Sequence, residues 1–431
     1  KTANPIALIL FDKSQSGNTA TLENVTMDAL KAQTKVSVAT ATADGNAVII
    51  KDSVLLGTPG VDAFIAPEGA KIAVTLQGIN NVNDVITNED GTIIVAKIGD
   101  KLYGSFAEAV ADAKEGDVIY ILADTTIAPD TMIKANVTIE GVMKSDGKLP
   151  VLTFNPAAAG NSFATIGIGV KDETKANVVI KNIDMVLDST KGTGAITVYM
   201  GSNLTLENVN ILATNNVHGA NTSLIRVYNA NSTITILNSN VTVDETFKPG
   251  TGASTLVLFD KKQTGGALVI ENTTIDASKA PVTFPIAKAT AAGNTVTVKN
   301  SVLAASAETA AFIGFAEGEV AYKGVNLVNG ELIVDVEGIR AEAIELGYAF
   351  EIGEVATAYD MGKFTGYYKT LKDAVAAAKA GDVILLLTDV SVEPDTMISV
   401  DVTIEGLKNA EGKVPTLTFN PAAAGNSFAT I

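Results

Sequence analysis

Apolar and polar residues alternate along this chain in short runs that keep returning. ATLENVTM (Ala20–Met27), VVIKNIDM (Val178–Met185), LTLENVNI (Leu204–Ile211), ITILNSNV (Ile234–Val241), LVIENTTI (Leu268–Ile275) and VTVKNSVL (Val296–Leu303) follow one pattern: alternating residues, an asparagine, then a further apolar stretch. The asparagines are Asn24, Asn182, Asn208, Asn238, Asn272 and Asn300, and Asp52 in VIIKDSVL takes the same place. Alternation over four to six residues rich in Val, Ile, Leu and Thr predicts a strand with one buried face. AITVY (Ala195–Tyr199), SLIRV (Ser223–Val227) and TLVLF (Thr255–Phe259) read as further strands between these runs. From Asn182 to Asn300 the successive spacings are 26, 30, 34 and 28 residues, and Asn24 to Asp52 is again 28. That period is too short for a helix and strand each. Two or three short strands with turns make one coil of a parallel β-helix, whose coils stack at about 4.8 Å.

An asparagine after the strand suits a coil corner, because Asn tolerates left-handed backbone angles. In stacked coils such residues align, and each side-chain amide can bond the next. Asn24, Asp52, Asn182, Asn208, Asn238, Asn272 and Asn300 are therefore expected to form a structural ladder. The alternative is glycosylation, since Asn24, Asn136, Asn203, Asn221, Asn231, Asn240 and Asn272 all occupy N-x-S/T. Asn203, Asn221 and Asn231 fall between the expected strands and are the better glycosylation candidates.

A second pattern has helical spacing. In SFAEAVADAK (Ser105–Lys114), Ser105 and Glu108 make the S-x-x-E capping box, and Phe106, Ala109, Val110 and Ala113 share one face. Gly116-Asp117 is expected to stop the helix before the strand VIYIL (Val118–Leu122). The design returns with Thr370 and Asp373 at the start, Leu371, Ala374, Val375 and Ala378 as the face, and Gly381-Asp382 as the stop. A short helix leading into the first coil would cover the apolar end of a stack. Thr92–Ile98 with Lys101–Tyr103, and Tyr348–Ile352 with Gly366–Tyr368, are expected to form hairpins beside it.

The return of this helix belongs to a long repeat. Leu102–Gly141 matches Tyr367–Gly406, and NPAAAGNSFATI occurs at Asn155–Ile166 and Asn420–Ile431, an offset of 265 residues. Ala7–Lys13 matches Thr255–Lys261 at an offset of 248. The expected organisation is the C-terminal coils of one module over 1–90, a complete module over 91–357 and the start of another over 358–431. Its hairpin and helix would occupy about 92–116 and its coils about 117–330. Boundaries are expected near Asn88–Gly91 and Thr357–Lys363, and the sequence reads as a window on a longer array.

SFAEAVADAKEGDVIYILADTTI…NVTIEG and its second copy resemble the opening of pectin-lyase-like right-handed parallel β-helix modules in large, repetitive bacterial surface proteins. The resemblance implies an all-β fold, a right-handed parallel β-helix (β-solenoid) in tandem modules, each with a short N-terminal capping helix. It implies less about activity, because that fold hosts lyases, hydrolases, adhesins and inert spacers.

Composition narrows the function classes. The chain has 431 residues, 47% of them apolar, and so can bury a large core. Its net charge of −17 disfavours nucleic acid and anionic membrane surfaces. No run of 18 apolar residues predicts a membrane span, and no charged, apolar leader opens the chain. The absence of cysteine excludes disulfides and Cys-ligated metal. With no tryptophan and 5% aromatic residues, stacking surfaces for sugars are scarce.

Lyases of this fold use carboxylate-bound calcium with a basic residue, and the hydrolases use paired Asp with a catalytic His. Here the sole histidine, His218, sits in the turn-like NNVHGAN, and Arg226 is expected on the outer face of SLIRV as a solvated side chain. No acid–base pair assembles, so no catalytic residue and no enzyme activity is expected. No cofactor is expected; Asp184, Asp188, Glu207, Asp244 and Glu245 are the oxygen donors a structural calcium would use. The expected function is an extracellular stalk or filament on a prokaryotic cell surface, with copies of itself as partners. The alternative is an adhesin binding a host glycan or protein, for which Tyr199, Tyr228 and Phe247 are the aromatic candidates.

Overall fold

The computed structural model describes residues 6–12, 15–32, 36–57, 65–66, 71–154, 166–170, 174–188, 194–199, 201–216, 223–228, 231–249, 254–260, 264–352, 366–392, 396–408 and 412–419. Among these the chain is mostly strand, wound as a β-solenoid of about 12 turns of stacked parallel coils. Its contacts group into two units. His218, Asn221, both copies of NPAAAGNSFAT and the expected boundary near Thr357–Lys363 lie outside the described residues.

In the first unit (1–268, 275–294 and 305–315), stacking is set by register. Val118–Ile121, Val137–Gly141, Asn177–Asp188, Asn203–Asn216 and Thr233–Leu237 pair in parallel in that order. The pairing puts Ile119, Ile139, Ile180, Leu206 and Ile236 in one inward column, all fully buried. A second parallel sheet runs Thr131–Ile133, Ile166–Ile168, Ile196–Tyr199, Ile225–Tyr228, Val257–Asp260, Ala287–Ala289 and Phe312–Ile313. Its inward column is Ile133, Ile168, Val198, Val227, Phe259 and Ala289. Each column is the sequence alternation stacked on itself, so one fully buried aliphatic side chain adds about 1.5–3 kcal/mol per coil before ordering costs.

The amino-terminal coils repeat the plan. Thr19–Glu23, Asn46–Lys51 and Ile72–Gln77 pair in parallel over a core of Val38, Ala39, Val48, Ile50 and Leu55. They close on a hairpin, Asn80–Val82 with Val85–Thr87, to which Ile93–Ile94 adds. A second hairpin follows, Ala96–Ile98 with Lys101–Tyr103, and then helix α1, Phe106–Asp112.

The second unit (269–274, 295–304 and 316–431) carries Thr295–Lys299 parallel to Val320–Lys323 and a hairpin of Val325–Val328 with Glu331–Val334. Helix α2, Val336–Glu345, follows directly, capped by Asp335, whose side chain accepts from Gly338 N–H at 3.1 Å. The sequence reading placed no helix there. Next come a hairpin of Phe350–Ile352 with Tyr367–Tyr368 and helix α3, Leu371–Ala377. Val383–Leu386 and Thr403–Gly406 then start a new parallel stack.

The helix stop expected at Gly116-Asp117 comes earlier. α1 ends at Asp112 with Ala113 already extended, and α3 ends at Ala377 with Ala378 extended. The reason is local. Asp117 accepts from the Lys114 N–H and Asp382 from the Lys379 N–H, each at 2.7 Å, so each aspartate folds the four residues before its strand into a turn.

Candidate functional site

The recurring chemistry of this molecule is at the coil corners. All seven residues of the expected ladder have left-handed backbone: φ is 54° at Asn24, 47° at Asp52, 54° at Asn182, 51° at Asn208, 50° at Asn238, 49° at Asn272 and 48° at Asn300. The side chains then bond from coil to coil. Asn208 Nδ2 donates to Asn182 Oδ1 at 2.7 Å, and Asn182 Nδ2 to Glu140 Oε1 at 3.2 Å. Asp52 Oδ1 accepts from Ile79 N–H at 2.9 Å, and Asn300 Oδ1 from Val325 N–H at 3.0 Å. In both of these cases a glycine follows on the next coil, Gly78 or Gly324, where a Cβ would collide with the ladder side chain.

A second, inner ladder lies one residue further on, which the sequence reading missed. Ser53, Ser239, Thr273 and Ser301 are buried, and each hydroxyl donates to the carbonyl two residues back, at 2.6–2.8 Å. The Ser53, Ser239 and Ser301 hydroxyls also accept the N–H of Val25, Val209 and Thr273 on the preceding coil, each at 3.1 Å. Asn80 and Asn326 extend these columns by accepting from the Ser53 and Ser301 N–H at 3.0 Å. The signal was present as the dipeptide Asn/Asp-Ser/Thr, at Asp52-Ser53, Asn238-Ser239, Asn272-Thr273 and Asn300-Ser301. A chain turning inward leaves backbone N–H groups buried, and these hydroxyls satisfy them.

Charge is also stacked. Glu23 pairs with Lys51 at 2.6 Å, Lys181 with Glu140 at 3.3 Å, and Lys299 with Glu271 at 3.4 Å, and all of these but Glu140 stand just before a corner residue. Exposed pairs of this kind contribute about 0–1 kcal/mol each.

Of the glycosylation candidates, Asn203 does not lie between strands but begins one, opposite Asn177. Its Nδ2 donates to Asn177 Oδ1 at 2.7 Å and its Oδ1 accepts from Thr233 N–H at 2.9 Å. Asn231 is exposed with φ 64°.

Arg226 departs from expectation. It does point to the outer face of its sheet, yet it is buried rather than solvated. Its Nε donates to Asp260 at 2.9 Å, Nη2 bonds the same carboxylate, and the guanidinium lies 4.7 Å from the Tyr228 ring centre. Tyr199 packs edge-on against Tyr228 at 5.9 Å, and burial pushes its hydroxyl pKa up. Both tyrosines are half-buried in one outward row. Phe247 belongs to the core, edge-on to Phe284 at 5.5 Å.

The five carboxylates considered for calcium are dispersed. Asp184 accepts from Asn210 Nδ2 at 2.7 Å, and Asp244 from the Thr246 hydroxyl and N–H at 2.6 and 2.8 Å. Among the described residues no three acidic or imidazole groups converge on a metal-sized site.

Comparison with known proteins adds no identity. No family model, curated protein or solved structure matches the chain.

Proposed function

We propose that the chain is a structural repeat segment of an extended stalk or filament on a prokaryotic cell surface, with copies of its own module as its main partners. The observation that carries this is the repeated module opening. Ser105 and Thr370 cap α1 and α3 through the same bond, to Glu108 N–H at 3.2 Å and Asp373 N–H at 3.1 Å. Phe106, Ala109 and Val110 are buried in one, and Leu371, Ala374 and Val375 in the other. A spacer needs one unit many times, whereas a binding site is needed once. Resemblance of this segment to β-helix modules of bacterial surface proteins, together with the lack of cysteine and the acidic surface, supports the location. We assign no catalytic residue, no cofactor, no nucleic-acid partner and no membrane insertion in this segment. Electron microscopy of the native material tests the reading: long uniform fibres are expected, and compact monodisperse particles would overturn it.

One observation favours an adhesin as second reading. Tyr199 and Tyr228 form a partly exposed aromatic pair on adjacent coils, stiffened by Arg226–Asp260. Glycan or host-protein binding abolished by Tyr199→Ala would support it.

A further inference from the structure

The chain contains two joints between modules, and they differ at matched positions. At the first, the hairpin Asn80–Val82 with Val85–Thr87 turns on Asn83 and Asp84, with φ of 51° and 64°. This tip reaches the turn that follows the second coil strand of the next module. The Asp84 carboxylate accepts from Ser145 N–H at 3.1 and 3.2 Å and from Ser145 Oγ–H at 2.6 Å, across 61 residues of sequence.

At the second joint the same hairpin, Val325–Val328 with Glu331–Val334, turns on Asn329 and Gly330, with φ of 50° and 83°. The carboxylate is missing. In the repeat that lays Gly141 on Gly406 and Lys148 on Lys413, Ser145 corresponds to Ala410, so the hydroxyl is missing as well. Both halves of the contact are lost together.

The second joint has its own connection instead. Glu351, fully buried, accepts from Arg340 Nε at 2.8 Å and Nη2 at 3.2 Å, and Arg340 is carried by α2. The matching residue at the first joint is Lys97. Lys97 and Glu351 face Tyr120 and Leu385, which occupy equivalent places in the long repeat. In place of α2 the first joint has the turn Asn88–Gly91. Each joint therefore lacks the residue pair that makes the described connection at the other.

We propose that the Asn83–Asp84 tip and the Ser145 turn are a docking pair specific to their own joint, and that Arg340–Glu351 is its counterpart at the other. The surface at Lys144–Lys148 is a socket whose partner is an acidic hairpin tip of the preceding module. Modules then cannot be exchanged freely along an array, because an aspartate tip meeting alanine in place of Ser145 loses the hydroxyl that donates to its carboxylate. This holds whether the array is a stalk or an adhesin.

Amide hydrogen exchange on the full chain tests it. Asp84→Gly copies Gly330 and keeps the turn, since glycine adopts positive φ freely. It is expected to speed exchange at Ser145 by about tenfold or more, the loss of a charge-assisted bond, while α2 and residues 350–352 stay unchanged. Glu351→Gln is expected to do the reverse. Unchanged exchange at Ser145 in Asp84→Gly, or equal acceleration at both joints, would overturn the proposal. The unaltered protein gives an independent reading: corrected for intrinsic rate, Ser145 N–H must exchange more slowly than Ala410 N–H, and equal rates would also overturn it.

Discussion

At Asn300 two demands meet in one side chain. The backbone sits at φ 48°, and the side-chain oxygen takes the Val325 N–H of the next coil. Alanine fails both, and strain of about 1 kcal/mol plus a lost hydrogen bond of about 1 kcal/mol predicts a cost near 2 kcal/mol. Asn300→Gly relieves the strain and is expected to cost roughly half as much in chemical unfolding. Gly324→Ala is expected to be worse than either, because the added methyl strikes the Asn300 amide and φ there is 63°. The same residue scale sets an acid response. The hydroxyls and then the N–H groups of Thr246 and Ser278 hold the Asp244 and Asp276 carboxyls below their usual range. Carboxyls depressed on folding stabilise fully above their unfolded pKa and lose that contribution as pH falls through the folded value. Stability should therefore drop below about pH 4, and Ser278→Ala should flatten the pH dependence of unfolding there. The corner asparagines were legible because few residues accept left-handed backbone. Burial of Ser239 and Ser301 was not, because serine suits an exposed turn just as well. Arg226 shows the other limit: alternation gives its face, but only tertiary structure covers that face.

At the scale of elements, strands were read from alternation and α1 and α3 from cap and periodicity together. α2 was missed although Asp335 caps it, Ile339 and Ala343 are spaced four apart, and Gly347 follows it with φ 82°. Its polar faces and Gly338 resemble a linker, and what holds it is tertiary: Ile339 and Ala343 pack with Val325, Tyr367 and Leu387. For α1 the relative weights are testable. Ser105→Ala removes one cap bond and is expected to cost about 1 kcal/mol. Phe106→Ala empties a fully buried site and is expected to cost about 3–5 kcal/mol. Thermal unfolding of the two variants would separate capping from packing, and equal effects would mean the helix only fills a turn.

On the scale of the first unit, the described inner coil strands pair in parallel with the coil before and the coil after them. Hydrogen bonds in such a stack run along its axis, not across it. Tension along that axis loads them end-on, one coil at a time, instead of shearing a whole sheet at once. Stretching should thus give a series of modest, similar rupture steps rather than one high peak. Each step would release a coil of 26–34 residues, roughly 90–120 Å of extended chain. A molecule built this way yields gradually under load and can rewind coil by coil, so that in the proposed stalk it would absorb shock as well as set a distance.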